Sequence, residues 1–165
     1  MTPTKPFVLR APEAGDFGWV IHAHGRLYAK EYQWDERFEA MVAKITGEFI
    51  ENFQPQWERC WIAELDGRNV GSVFVVRQSK NVAKLRLLVL EPEARGQGIG
   101  RQLVEQVIQF SREKGYRELV LWTNKNLTDA IQLYRSLGFE LQSEQAHESF
   151  GHALVGQNYR LMLNE

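Results

Sequence analysis

The chain is 165 residues long and 44% hydrophobic, with Phe 9, Tyr 5 and Trp 5 and 25% charged residues, a composition that can build a core and excludes a disordered polymer. Its 20 basic and 21 acidic side chains leave a net charge of −1, too little to draw it to nucleic acid, and its single cysteine, Cys60, excludes a disulfide framework or a thiolate zinc cluster. The length fits one domain over residues 1–165; residues 1–6 carry no apolar stretch for a signal peptide, and no run approaches the ~18 apolar residues of a membrane span, so a cytoplasmic protein with no membrane partner is expected.

In chain order, Phe17, Val20, Ile21 and Leu27 predict a helix within 12–32, with Asp16 as its N-cap. After Tyr32-Gln33-Trp34, Asp35 caps a second helix whose apolar stripe is Phe38, Met41, Val42, Ile45, Phe49 and Phe53, ending before Pro55. Residues 59–65 and 70–77 read as an antiparallel hairpin joined by the turn Asp66-Gly67-Arg68-Asn69, with its Asp-Gly step. The segment 83–90 first alternates Lys84 and Arg86 with Leu85 and Leu87, then becomes wholly apolar, which predicts a later half buried on both faces. Residues 98–114 are amphipathic through Ile99, Leu103, Val107 and Phe110 and stop at Gly115. A short strand over 118–123 and a helix over 127–137, closed by Gly138, lead to two last strands at 139–145 and 153–163. This order predicts an α/β fold with a mixed, mostly antiparallel central sheet flanked by helices. Either of the last strands offers an edge for a homodimer.

The segment Glu91-Pro-Glu-Ala-Arg95-Gly-Gln-Gly-Ile-Gly100-Arg101 joins an apolar strand to a helix through a glycine-rich turn. Such a turn lets successive N–H groups converge, and the helix start adds unpaired donors and partial positive charge, so a phosphate or pyrophosphate is its natural guest. A dinucleotide fingerprint needs glycine where Arg101 stands, and a P-loop needs glycine then lysine from that position, so neither fits. The plain alternative is a turn needed only to pack the strand against the helix.

Arg95-Gly96-Gln97-Gly98-Ile99-Gly100 fits the pattern Arg/Gln-x-x-Gly-x-Gly/Ala, and Ala130-Ile-Gln-Leu-Tyr134-Arg-Ser-Leu-Gly138-Phe139 follows downstream. In both signatures and in the order of its elements the chain resembles the GNAT superfamily of N-acetyltransferases. More narrowly, Tyr28-Ala-Lys-Glu-Tyr-Gln-Trp34-Asp35, Lys84-Leu-Arg-Leu-Leu88, Leu121-Trp-Thr123 and Phe150-Gly-His-Ala-Leu-Val-Gly-Gln157 are similar to the acetyltransferase half of proteins that fuse it to a MarR-type DNA-binding domain. No winged helix is read in these residues.

The resemblance implies acetyl-CoA as donor substrate and no metal. The loop Arg95, Gly96, Gln97, Gly98, Ile99, Gly100 and Arg101 would hold the coenzyme A pyrophosphate, and Leu88, Val89 and Leu90 would line its pantetheine arm. Tyr134 matches the family's general-acid tyrosine, which protonates the leaving thiolate. The family often has asparagine at the place of Leu127; here Asn126 lies one residue earlier, about 100° away around a helix, as the substitute contact.

A lysine-like amine with pKa ~10.4 spends about 4.6 kcal/mol in becoming neutral at pH 7, so a proton acceptor is needed. Glu31, Asp35, Glu91, Glu144, His22, His24 and His147 all stay open for that role. Tyr28, Tyr32, Trp34 and Phe150 are expected to wall the pocket of a small-molecule or peptide amine, holding a cation over ring faces, while Arg86 would favour a carboxylate. A catalytically silent acyl-CoA-binding or regulatory module is the competing class.

Overall fold

Strands β2 (Arg59–Leu65) and β3 (Arg68–Ser79) pair antiparallel around Asp66 and Gly67, whose φ of 54° and 74° give the left-handed pair that a tight hairpin requires. The structure is a computed structural model that describes residues 6–163, so the reading of residues 1–6 lies, Pro6 apart, outside the described residues. Before the hairpin, β1 (Phe7–Arg10) pairs antiparallel with β2; with four residues it is too short to show an alternating pattern and was not anticipated from sequence. Beyond it come β4 (Val82–Leu90), β5 (Glu118–Asn124), β6 (Glu140–Ser149) and β7 (His152–Met162). Among the described residues these seven strands form one sheet in the order β1-β2-β3-β4-β5-β7-β6, antiparallel except where β4 meets β5. Because β7 lies inside the sheet between β5 and β6, only β6 of the last two strands keeps a free edge.

Alternation along the central strands divides the core in two. Phe74 points to the face covered by α1 (Asp16–Tyr32) and α2 (Glu36–Glu51), where it meets Val20, Phe38, Val42, Phe49 and Ile62. Its neighbours Val73 and Val75 point to the other face, where α3 (Ile99–Glu113) and α4 (Thr128–Ser136) bury Ile99, Leu103, Val107 and Tyr134 against Leu85, Leu119 and Leu121. No helix among the described residues is long and apolar enough to cross a membrane.

Asp35 caps α2 as expected, its carboxylate accepting the Arg37 N–H at 3.0 Å. Phe53 does not belong to that helix, which ends at Glu51; it sits 43% exposed with its ring 5.1 Å from Phe49. Asp16 is not the cap of α1. Gly15 holds that position, and Asp16, the first helical residue, accepts from the Glu13 N–H at 2.6 Å, from Arg10 at 2.7 Å and from Asn69 at 2.9 Å. Arg10 also reaches Glu64 at 2.9 Å, so one ion network ties the edge strand β1 to α1, β2 and β3.

The apolar end of β4 is not buried on both faces. Its parallel pairing with β5 covers only Val82–Lys84 against Glu118–Val120, after which the strands diverge and leave Leu87, Leu88 and Leu90 half-buried. A register shift against β3 lies at the same place, with Leu87 in the left-handed region at φ 51°, and such a bulge bends a strand away from its neighbour.

Two buried groups make stability acid-sensitive. Burial pulls the His24 imidazole from 6.5 down to about 4, and the guanidinium of Arg10 holds Asp16 at about 2 against an ordinary 3.8. Both are lowered by folding, so the stability they confer is full above 6.5 and 3.8 respectively and is lost as pH falls toward the folded values. For His24 the loss is on the order of 3 kcal/mol. Urea denaturation at pH 7 and pH 4 should show a drop in wild type larger by about that amount than the drop in His24→Gln.

Candidate active site

The divergence of β4 and β5 opens a cavity of about 240 Å³. Its walls come from Lys84 to Leu88 of β4, from Leu121 to Asn124 of β5, from Ala130 and Tyr134 of α4, and from an aromatic bank of His24, Tyr28, Trp34, Phe38 and Phe150. Four of the expected acceptor residues, Tyr28, Trp34, Arg86 and Phe150, are thus brought together. Tyr32 is not among the lining residues: its ring stands behind the wall, 5.5 Å from Tyr28 and 5.6 Å from Trp34, and supports them.

Tyr134 is 5% exposed, packs its ring 5.7 Å from Phe139, and lines the cavity from the α4 side. Burial first, and then the neighbouring Tyr28, raises its phenol well above the usual tyrosine range, so it is protonated at every physiological pH. A buried, protonated phenol facing a crevice is a proton donor in waiting.

At the other end of β4 the loop leads into α3. Gly98 is the N-cap with no side chain to cap the helix, the first turn holds no acidic residue, and the N–H groups of Ile99, Gly100 and Arg101 have no partner within the helix. Gly96 and Gly98 take φ of +76° and +81°, and a Cβ on either would meet nothing within 4 Å, so the loop presents its backbone to open space. This fits a pyrophosphate held by main-chain donors. The side chains behave otherwise. Ile99 is fully buried, so only its backbone serves the loop. Arg95 forks onto Glu31 at 2.8 and 2.9 Å and donates to the Leu90 carbonyl at 3.2 Å, clamping the loop to α1 rather than reaching outward. Arg101 bonds Glu105 and Ser136. Gln97 donates to the Glu93 carbonyl at 3.0 Å and keeps a buried Oε1 that has no partner among the described residues.

Along β4, Leu88 faces the cavity and Leu90 lies half-buried near Gly71 and Gly100. Val89 is buried at 4% exposed, so of the three expected lining residues it offers backbone alone. Asn126 sits exposed in the turn before α4 and does not line the cavity, while Leu127 does. The asparagine at the cavity is instead Asn124, at the end of β5; its Oδ1 accepts from His147 Nε2 at 2.8 Å, and Ser149 Oγ lies 2.9 Å from Nδ1 of the same ring. Sequence reasoning missed Asn124, and the strand ending there carried no signal beyond its β-branched and aromatic run.

The candidate bases scatter. Glu31 is taken by Arg95, Glu91 by Arg26, Asp35 by Arg37 and Glu144 by Gln157, and His22 is exposed. Only His24 lines the cavity; its Nδ1–H donates to the Val20 carbonyl at 2.8 Å, and burial keeps it neutral. Among the described residues no three His, Cys, Asp or Glu side chains gather to hold a metal ion.

The comparisons with known proteins converge. Human N-acetyltransferase 8B is 39% identical over 85 residues, 48% of this chain and 37% of that protein. The spermidine N(1)-acetyltransferase of Escherichia coli K12 is 26% identical over 144 residues, covering 86% of this chain and 77% of that one. For human N-acetyltransferase 8B and its rat relatives, the matched stretch spans 37–40% of the relative's length. The fold matches spermidine N-acetyltransferase from Vibrio cholerae in complex with CoA and spermine at a TM-score of 0.72, 19% identical over 95% of each chain. It matches an N-acetyltransferase from Staphylococcus aureus Mu50 at 0.78, 18% identical over 97% of this chain and 100% of that one. A family match over residues 21–139 takes in both the loop at α3 and the helix bearing Tyr134, and by it the chain belongs to the Acetyltransferase (GNAT) family.

Proposed function

We propose that this chain, acting as one domain over residues 1–165 in the cytoplasm, moves the acetyl group of acetyl-CoA to the primary amine of a small molecule or peptide by direct attack. The observation that carries the reading is the crevice between β4 and β5, with the open glycine loop at one end and the protonated phenol of Tyr134 facing it. The loop's main-chain donors take the pyrophosphate. The half-buried edge of β4 at Leu88 and Leu90, unpaired by β5, takes the pantetheine arm as an added strand would lie. The amine enters from the side of Tyr28, Trp34 and Phe150.

In the reaction the amine nitrogen bonds to the thioester carbon, and the tetrahedral intermediate then breaks its C–S bond. Tyr134 gives its proton to the departing sulfur, the attacking nitrogen gives its extra proton to water, and the phenolate is reprotonated from solvent. No carboxylate among the described residues lines the cavity, and His24 with a pKa of about 4 is a weak acceptor, so the amine loses its proton on the way in. The narrower likeness to MarR-fused acetyltransferases rests on segments that supply Tyr28, Trp34, Lys84, Arg86 and Phe150, all cavity residues, which supports a shared acceptor pocket. Two copies would associate along the free edge of β6.

Calorimetric titration tests the donor site. Wild type should bind acetyl-CoA, Gly98→Ala should bind more weakly through backbone strain alone, and Gly98→Glu should lose binding through added bulk and charge; failure of wild type to bind removes the donor reading. Tyr134→Phe should lower kcat by about 100-fold or more with acetyl-CoA affinity unchanged. Binding by both proteins without turnover by either identifies a silent acyl-CoA-binding module. The missing base gives a third expectation: log kcat/KM should rise with unit slope from pH 6 toward the acceptor amine's own pKa, with no plateau near 6.5 from a histidine.

A further inference from the structure

Lys84 and Arg86 stand two residues apart on β4, opposite Val76 and Phe74 of β3, and so share the face that looks into the cavity. Both are half-buried, and neither makes a hydrogen bond or ion pair among the described residues. Several arginines elsewhere in the chain hold carboxylates: Arg95 holds Glu31, Arg26 holds Glu91, Arg10 holds Asp16 and Arg68 holds Glu93. The two cations of the cavity have no such partner, and no Asp or Glu among the described residues lines its wall. Burial first, and then the charge of Arg86, pulls the Lys84 ammonium below its ordinary range, as expected for like charges held side by side without an anion.

Resting on the reading of this cavity as the acceptor site, we infer that the acceptor carries a carboxylate close to its reactive amine, bound by Arg86 and Lys84, and is therefore an amino-acid-like amine with an apolar body rather than a polyamine. A guanidinium takes a carboxylate through two parallel N–H···O bonds, fixing the amine relative to β4, and the ammonium adds a second charge-assisted bond. The apolar remainder of the acceptor packs on Trp34, Phe38 and Phe150. A polyamine would bring two or more ammonium groups into a cavity that, among the described residues, already holds two unpaired cations and no anion to receive them. This departs from the acceptor that the names of the spermidine acetyltransferases suggest.

The test uses reaction products, so that it needs no turnover. N-acetyl amino acids, each beside its own carboxamide, and N1-acetylspermidine are titrated into the full chain, both CoA-loaded and free, with binding read by calorimetry. At least one N-acetyl amino acid should bind about tenfold or more tighter than its amide. That preference should fall to within about twofold in Arg86→Gln and shrink in Lys84→Gln, with acetyl-CoA binding by both variants showing that they are folded. Every acid binding like its amide, no binding by any of them, tighter binding of N1-acetylspermidine, or a preference that survives both substitutions overturns the inference. If acetyl-CoA binds and no carboxylate preference appears, the acceptor class falls and the donor reading stands. If acetyl-CoA fails to bind, the donor reading falls, and the titrations of the free protein decide the acceptor class by themselves.

Discussion

The parting of β4 from β5 after Lys84 is the constraint on which the rest depends. A parallel pair that ends after Val82–Lys84 leaves the later backbone of β4 without a ladder partner on one side, and buried main-chain groups without partners are costly. The strand is held to that course from its other side. Ser72 Oγ donates to the Leu87 carbonyl at 3.0 Å at the bulge, Arg95 donates to the Leu90 carbonyl, and the Glu91 N–H bonds the Val70 carbonyl at 2.7 Å. The crevice is therefore built into the sheet and does not depend on a mobile loop. Its length along β4 sets where an extended ligand arm can lie, and its two ends set what meets that arm.

The same parting decides the electrostatics. Groups on its walls lose water without gaining ionic partners, so the phenols of Tyr28 and Tyr134 stay protonated and His24 stays neutral. Lys84 and Arg86 are left as the charged side chains of the cavity wall. A positive field there disfavours an ammonium and favours its neutral conjugate, which in the proposed reaction is the form that attacks the thioester. On that reading a site with no carboxylate base among the described residues still assists an amine, by raising the cost of its protonated form.

What was legible in the sequence was local. Asp66-Gly67 specifies its turn because few other pairs tolerate two left-handed residues, Asp35 caps because its side chain reaches its own helix, and the glycine loop announces itself by residue type. What was not legible depends on partners far along the chain. Asp16 reads as a cap from its neighbours, yet it is claimed by Arg10 and by Asn69 across the hairpin. The leucines of β4 read as doubly buried, yet their exposure is fixed by where β5 stops pairing. Asn124 looks like any strand residue until His147, 23 positions away, is seen to hold it at the cavity.

Donor and acceptor recognition are written in different parts of the molecule. In the proposed reading the donor end relies on backbone N–H groups, glycine torsions and an unpaired strand edge, features set by the fold more than by side-chain identity. Solved structures only 18–19% identical share this architecture over 95% or more of the chain. In the proposed reading the acceptor end relies on side chains: Arg86 and Lys84 on one wall and the rings of Tyr28, Trp34 and Phe150 on another. A single substitution there alters charge without disturbing the sheet, because these residues stand on an already open crevice. Family membership therefore informs the fold and the donor strongly, whereas the acceptor has to be read from the charge balance of this cavity's own walls.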